Sequence, residues 1–539
     1  MKNLIVKIFL IALFLSTGIC FGDCELKDWT RIWGSIATDT GKGVSVDSAG
    51  NIYVTGSTRS EFDGQTNTGS MDIFLTKYNS SGTKQWSRLW GSDDDDYGSG
   101  VSVDSAGNIY VAGNTEGEFD GKINAGGTDF CLTKYNSAGT KQWTRIWGSI
   151  ANDYGNNVTV DSAGNIYVVG STHGEFDGQI NAGEYDLCLT KFNSSCTKQW
   201  TRIWGSTDFD SGRGVSVDSA GNVYVAGSTS SEFDGQTNAG KDDLCLTKYN
   251  SVGTKQWTRI WGSTANDYGN NVTVDSAGNI YVSGHTYGEF DGQTNVNMKT
   301  ADLCLTKYNS AGTKQWTRIR GSTGNDSGRD VSVDSAGYIY VAGETRGEFD
   351  GQVNVGGYDL CLIKYNSVGS NQWTRIWGST SHEYGRGVSV DRAGNCCVVG
   401  YTEGEFDGQT NAGSADICLT KFSFNSPFVG ITNLNFSVEL PTTTATIGGT
   451  NNEYIALDST MWWENTSTSG VSGTFTADLS RSWTIDNIPL VAFENIITAS
   501  GSNIFGEVST DTITIDLVPE PFYLSFIICQ LLFINLCRK

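Results

Sequence analysis

Trp143 to Lys198 reads WTRIWGSIANDYGNNVTVDSAGNIYVVGSTHGEFDGQINAGEYDLCLTKFNSSCTK. It holds four runs of strand character, WTRIW, NVTV, IYVVG and DLCLTKF, each bounded by Gly, Asn, Asp or Ser. The unit recurs. Trp29, Trp86, Trp143, Trp200, Trp257, Trp316 and Trp373 head seven copies at intervals of 57 residues, with one interval of 59. The longer interval comes from two extra residues in the loop at 296–301. A fixed period of this kind marks an array of one supersecondary unit. Four short strands per unit and seven units predict a seven-bladed β-propeller.

The register predicts how the ring closes. The first copy opens with its WTRIWG run at 29–34, and the last ends with the run at 416–422 and no WTRIWG after it. The final blade therefore has three strands of its own. The first run is expected to complete it by pairing beside 416–422, which removes two open sheet edges.

The Val-Asp-Ser-Ala-Gly-Asn turn with Ile-Tyr-Val after it, and Leu-Thr-Lys-Tyr-Asn leading to Gln-Trp, resemble the bacterial β-propeller repeat family SBBP. The resemblance spans residues 28–425 and implies a fold rather than an activity.

Composition narrows the function. The chain has 539 residues and a formal charge of −23, which argues against a nucleic-acid binder. With 67 glycines and five prolines it reads as turn-rich all-β rather than disordered. Residues 1–22 have a basic start, an apolar run and small residues at the exit, the pattern of a secretory signal peptide. Residues 426–517 change to a Thr-rich, Lys-free composition with short strand-like runs, including Met461-Trp462-Trp463. These predict a small β-sandwich. They resemble the immunoglobulin-like modules of bacterial surface proteins. Residues 518–539 join Pro519-Glu520-Pro521, an apolar stretch and Arg538-Lys539. This tail resembles the PEP-CTERM sorting signal. That resemblance implies exosortase-type processing machinery as a partner and delivery to the surface or extracellular matrix of a Gram-negative bacterium. The alternative for the tail is a short membrane anchor.

The recurring residues have structural and functional readings. Each unit carries an arginine two positions after its first tryptophan, so both share a strand face and can stack. Inter-blade packing is the expected role, with a sugar-binding strip as the alternative. Cys131, Cys188, Cys245, Cys304, Cys361 and Cys418 fall at one strand position in successive blades. Stacked sheets are ~10 Å apart, beyond disulfide reach, so these are expected to be small buried apolar groups.

A four-stranded meander sends alternate loops to the same face. The EFDG loops are thus expected on the long-loop face with Glu61, Asp63, Glu118, Asp120, Glu175, Asp177, Glu232, Asp234, Glu289, Asp291, Glu348, Asp350, Glu405 and Asp407. This acidic face is the candidate site for calcium, a surface polysaccharide or a protein partner. The alternative is a turn whose phenylalanine packs and whose acids are solvated.

No triad, phosphate loop or metal-ligand spacing is present, and the three histidines fall at different repeat positions. The reading is therefore a non-enzymatic binding or scaffold protein without a cofactor other than calcium. A polysaccharide-processing enzyme at the propeller channel and a purely structural surface component are the alternatives. Unlike polar residues from single blades at the channel would favour the enzyme.

Overall fold

The computed structural model describes residues 26–423 apart from Ala393, and beyond them the backbone of seven further strands between 429 and 516. The signal-like segment 1–22 and the sorting-like tail 518–539 lie outside the described residues. No helix among the described residues is long and apolar enough to cross a membrane.

Residues 25–424 form one compact unit. Its strands make seven four-stranded antiparallel sheets. The fourth blade is typical, with β14 (Asp210–Val217), β15 (Val223–Thr229), β16 (Asp243–Tyr249) and β17 (Lys255–Trp261) side by side. In the last blade, β26 (Glu383–Val390), β27 (Cys396–Thr402) and β28 (Asp416–Ser423) are completed by β1 (Leu26–Trp33). β1 runs antiparallel to β28, with Thr30 opposite Thr420 and Trp33 opposite Ile417. The ring closes as the register requires.

Burial follows strand rank. The second strand of blade four, VYVAGST, is buried at every position, whereas the fourth, KQWTRIW, opens with exposed residues. The core therefore lies between blades. Tyr53, Ile73 and Leu75 of the first blade pack on Val101, Val111 and Cys131 of the second. The six equivalent cysteines are buried and unbridged, as expected of small apolar groups.

Turn chemistry sets each strand's ends. In the DSAGN turns the Asp47 carboxylate accepts the Ala49 and Asn51 amides at 2.9 and 2.8 Å and the Tyr53 hydroxyl at 3.0 Å. Gly50 follows at φ +77°, open to glycine without steric cost. The outer-strand arginines lie 5.0–5.5 Å from the rings of the tryptophans two residues before them. Arg202 also donates to the Gly253 carbonyl of the next blade at 2.7 Å, which fits the packing role.

The second unit contains residues 425–539. Its strands pair as two antiparallel sheets, β29–β30–β33 and β32–β31–β34–β35, within Val429–Asn435, Thr444–Asn451, Met461–Asn465, Ser472–Phe475, Ser482–Pro489, Glu494–Ser502 and Val508–Asp516.

Candidate ligand site in the channel

The EFDG segments do not stand on a loop face. Phe62 and Gln65 exchange backbone hydrogen bonds at 3.0 Å, making a two-residue hairpin of Asp63 and Gly64. All seven hairpin aspartates have positive φ, between 49° and 54°. A type I′ turn requires this at both central residues, so Asp-Gly is the expected pair. Each hairpin folds back along the outermost strand of its blade. Asp177 accepts Lys198 and Thr201 at 2.6 Å, and Asp63, Asp120, Asp234, Asp291 and Asp407 repeat the lysine pair at 2.5–2.7 Å. Asp350 takes Arg320 and Asn371 at 2.8 Å instead. Glu61, Glu118, Glu175, Glu232, Glu289, Glu348 and Glu405 are exposed. The fourteen acids thus line the outer wall, with every aspartate already holding a donor. The sequence argument placed them on the long-loop face because it followed loop order and missed this fold-back.

The long loops are held by buried acids. Asp153 accepts the Ser149 amide, and Asp129 of the preceding blade accepts the Ala125 amide, both at 2.5 Å. Gly148 lies between these two carboxylates, and the Asp129 and Asp153 Oδ1 atoms have no partner. The arrangement recurs around the ring, with Asp359 and Glu383 as its seventh member. Burial pushes Asp96, Asp129, Asp186, Asp243 and Asp359 up to about 6, and Asp302 to about 7.

These shifts predict an unusual pH profile. A carboxyl raised in the folded state binds more protons folded than unfolded between its two pKa values. Stability then falls as pH rises from ~4 to ~6–7 and is level above. His285 opposes this, because burial and the charges of Arg329 and Arg213 keep it neutral when folded. It is one group against seven carboxyls, Asp330 in the channel being the seventh. Calorimetry should show the propeller melting a few degrees higher near pH 5 than near pH 7.5. A lower melting temperature near pH 5 would contradict it.

The channel is where the blades differ. The first strands of the blades, Asp39–Val46, Asp96–Val103, Asp153–Val160, Asp210–Val217, Asp267–Val274, Asp326–Val333 and Glu383–Val390, line a cavity of about 790 Å³. Each carries a β-bulge between its third residue, a glycine, and its fifth, as between Gly212 and Gly214. A bulge leaves one residue unpaired and re-aims its side chain. Here that residue is Lys42, Ser99, Asn156, Arg213, Asn270, Arg329 and Arg386 in turn, and all seven line the cavity. One backbone device thus presents four cations and three neutral polar groups.

The second strands supply the neighbours. Glu344, 2% exposed, accepts Arg329 at 2.6 Å and lies 3.9 Å from Arg386. Arg386 donates to the Tyr401 hydroxyl at 3.0 Å. Asp330 accepts the Val331 and Val388 amides at 2.7 Å and also Asn271. Burial pushes its carboxyl up to about 6. Among the described residues Lys42 has no carboxylate partner, and it sits 5.4 Å from the Tyr97 ring. Burial, then the charge of Arg386, pulls its ammonium down to about 8. Burial likewise lowers Arg213, whose guanidinium reaches Asn270 at 3.1 Å. Tyr154, Tyr185 and Phe209 form an aromatic run at the wall, with neighbouring centroids 5.9 and 5.3 Å apart.

None of these residues was singled out from the sequence. The signal was there, in the position where otherwise matching units carry Lys, Ser, Asn, Arg, Asn, Arg and Arg. No group of three or more His, Cys, Asp or Glu side chains among the described residues is arranged to hold a metal.

The SBBP beta-propeller repeat matches residues 28–63, 85–120, 142–177, 199–234, 256–291 and 315–350, so the chain carries six recognisable SBBP repeats in a seven-bladed ring. It is 27% identical over 202 residues to the regulatory protein FlaEY of Caulobacter vibrioides, covering 34% of this chain and 21% of that one. It is 23% identical over 249 residues to an uncharacterized WD repeat-containing protein of Acanthamoeba polyphaga mimivirus, covering 38% and 17%. The matches thus span about a fifth of these relatives' length. Among solved structures, a Streptomyces coelicolor aldose sugar dehydrogenase overlaps at a TM-score of 0.31 and 10% identity, covering 73% of this chain and 98% of that one. A puromycin hydrolase mutant overlaps at 0.40 and 11%, covering 78% and 59%. Overlap at these scores carries nothing about chemistry.

Proposed function

We propose that this chain is an exported, non-enzymatic binding protein of the cell surface or matrix, with its ligand site in the propeller channel. The observation that carries the binding role is the contrast between uniform scaffold and varied channel wall. The seven blades share their turns, hairpins and packing, while one bulge position differs in charge from blade to blade. A structural ring has no need of such asymmetry, and a ligand read in one orientation does. The cavity volume lies in the range of small-molecule sites.

The N-terminal pattern and the PEP-CTERM-like tail support export and surface delivery through exosortase-type processing. The strands after 429 are read as an immunoglobulin-like sandwich that spaces the ring from the surface. A second reading, a channel enzyme, has one observation in its favour. The Ser327 hydroxyl lies 3.1 Å from His285 Nδ1. Among the described residues no carboxylate hydrogen-bonds that imidazole, and both partners are largely enclosed, so the pair lacks the third member that orients a base.

The test expresses the full chain in a Gram-negative host with exosortase-type machinery. Surface labelling should find the propeller outside the cell, and glycan-array binding should survive EDTA, because the hairpin aspartates already hold cationic or amide donors. Retention in the cytoplasm would overturn the surface reading. Binding abolished by EDTA would return calcium to the outer wall.

A further inference from the structure

We infer that the channel binds an acidic oligosaccharide, a run of sugar units bearing carboxylates. The inference rests on the reading of the channel as a ligand site and names its ligand class.

Charge is the first argument. The chain is strongly anionic, yet the bulge positions collect Lys42, Arg213, Arg329 and Arg386 in one cavity. Two carboxylates answer them. Glu344 is taken by Arg329 and approached by Arg386, and Asp330 is satisfied by backbone and amide donors. Among the described residues Lys42 makes no ion pair, and Arg213 makes none either, its nearest acid being Asp242 behind the Tyr268 ring. Half-buried cations facing one another are destabilised until an anion joins them. Lys42 lies in the field of Arg386 and Arg213 in that of Arg329, so a bound carboxylate at each place would relieve them, and a guanidinium matches a carboxylate with two parallel hydrogen bonds.

The rest of the wall selects the kind of anion. Amide side chains of Asn156, Asn157 and Asn271 line the cavity, already holding the Gly212 carbonyl, one another and Asp330, and their remaining hydrogen-bonding capacity suits hydroxyl groups, which both donate and accept. Phe209 is 42% exposed beside Tyr185, an apolar face left open at the site. Apolar faces of pyranose rings can cover such a surface, while their edges meet the amides. A phosphate would be expected on a nest of free backbone N–H groups. Here each inner strand is the edge of its sheet, and side chains already take the Val158, Val272, Val331 and Val388 amides on it. Three cations come from adjacent blades six, seven and one, with Arg213 from blade four. The ligand would then lie across the channel with carboxylates on more than one unit.

The experiment is calorimetric titration of the full chain with short uronic-acid oligomers, their methyl esters and neutral glucan oligomers. Uronic-acid oligomers should bind, and esterified or neutral ones should not. Lys42→Gln and Arg213→Gln should each weaken binding by about tenfold, the loss of one charge-assisted hydrogen bond. Both variants should melt like the parent. Equal binding of neutral oligomers would overturn the acidic class and leave the channel reading standing. Acid binding untouched by both substitutions would overturn the channel reading itself. Failure of every uronic-acid oligomer to bind, or displacement by inorganic phosphate at lower concentration, would also overturn the inference.

Discussion

Removing Leu26–Trp33 from the chain is expected to open the ring. Those eight residues are the outer strand of a blade whose other three strands lie almost four hundred residues later. Trp29 and Trp33 pack against the cluster of Phe62, Phe74, Tyr78, Val399 and Leu419, and the Trp33 ring meets Tyr78 edge-on at 5.0 Å. Lys27 and Thr30 hold Asp407. Apolar burial at this level stabilises by ~2 kcal/mol per large side chain, and each ladder bond by ~1 kcal/mol. A loss of at least ~5 kcal/mol is expected. Deletion would also bare the edge of β28, a template for pairing with another chain. Calorimetry should show a much lower and broader transition, and light scattering should show self-association. A deletion variant that stayed monomeric with an unchanged melt would sink the closure.

The second large effect is expected at Gly227. It pairs with Gly212 where β14 bulges, and a methyl group there would fall far inside contact with the Ser211 carbonyl. That oxygen belongs to the inner-strand backbone, which cannot rotate away as a side chain would. Gly227→Ala should cost about 3 kcal/mol, the upper end for overpacking. It should also displace the bulge that aims Arg213. Gly214→Ala would crowd the Asn271 backbone of the next blade instead. The two variants therefore separate damage within a blade from damage between blades. A Gly227→Ala protein melting within a degree of the parent would contradict the bulge geometry.

Much of the fold was legible because repetition multiplies weak signals. One WTRIWGS run could be a helix end or a strand, but seven at a fixed interval settle period, strand count and closure together. The site was less legible for the same reason. Attention to what recurs led to the EFDG acids, which the hairpins fold against outer-strand lysines such as Lys198 and Lys255. Asp-Gly was readable as a type I′ turn, but the direction in which that turn folds depends on contacts such as those of Asp63 and Gln65 to Ser87 on the outer strand. The channel residues looked like noise within a repeat. Lys42, Ser99 and Asn156 gain meaning only when bulges bring seven first strands around one cavity. Comparing copies for where they differ would have found them.

The central claim is that the scaffold is uniform and the channel wall carries the specificity. It is tested most directly by making the wall uniform as well. Lys42, Arg213, Arg329 and Arg386 would each become Ser, the residue blade two carries at Ser99, and Glu344 would become Ser, as at Ser57 and Ser228. Every substitution copies a residue that another blade carries at that position, and Glu344 is removed together with the arginines it faces. The measurement is uronic-acid oligomer affinity set beside the melting temperature of the same protein. The account predicts a ring that melts like the parent and binds at least ~100-fold more weakly, the loss of two or more charged contacts. A ring that melts normally and binds as before would contradict it.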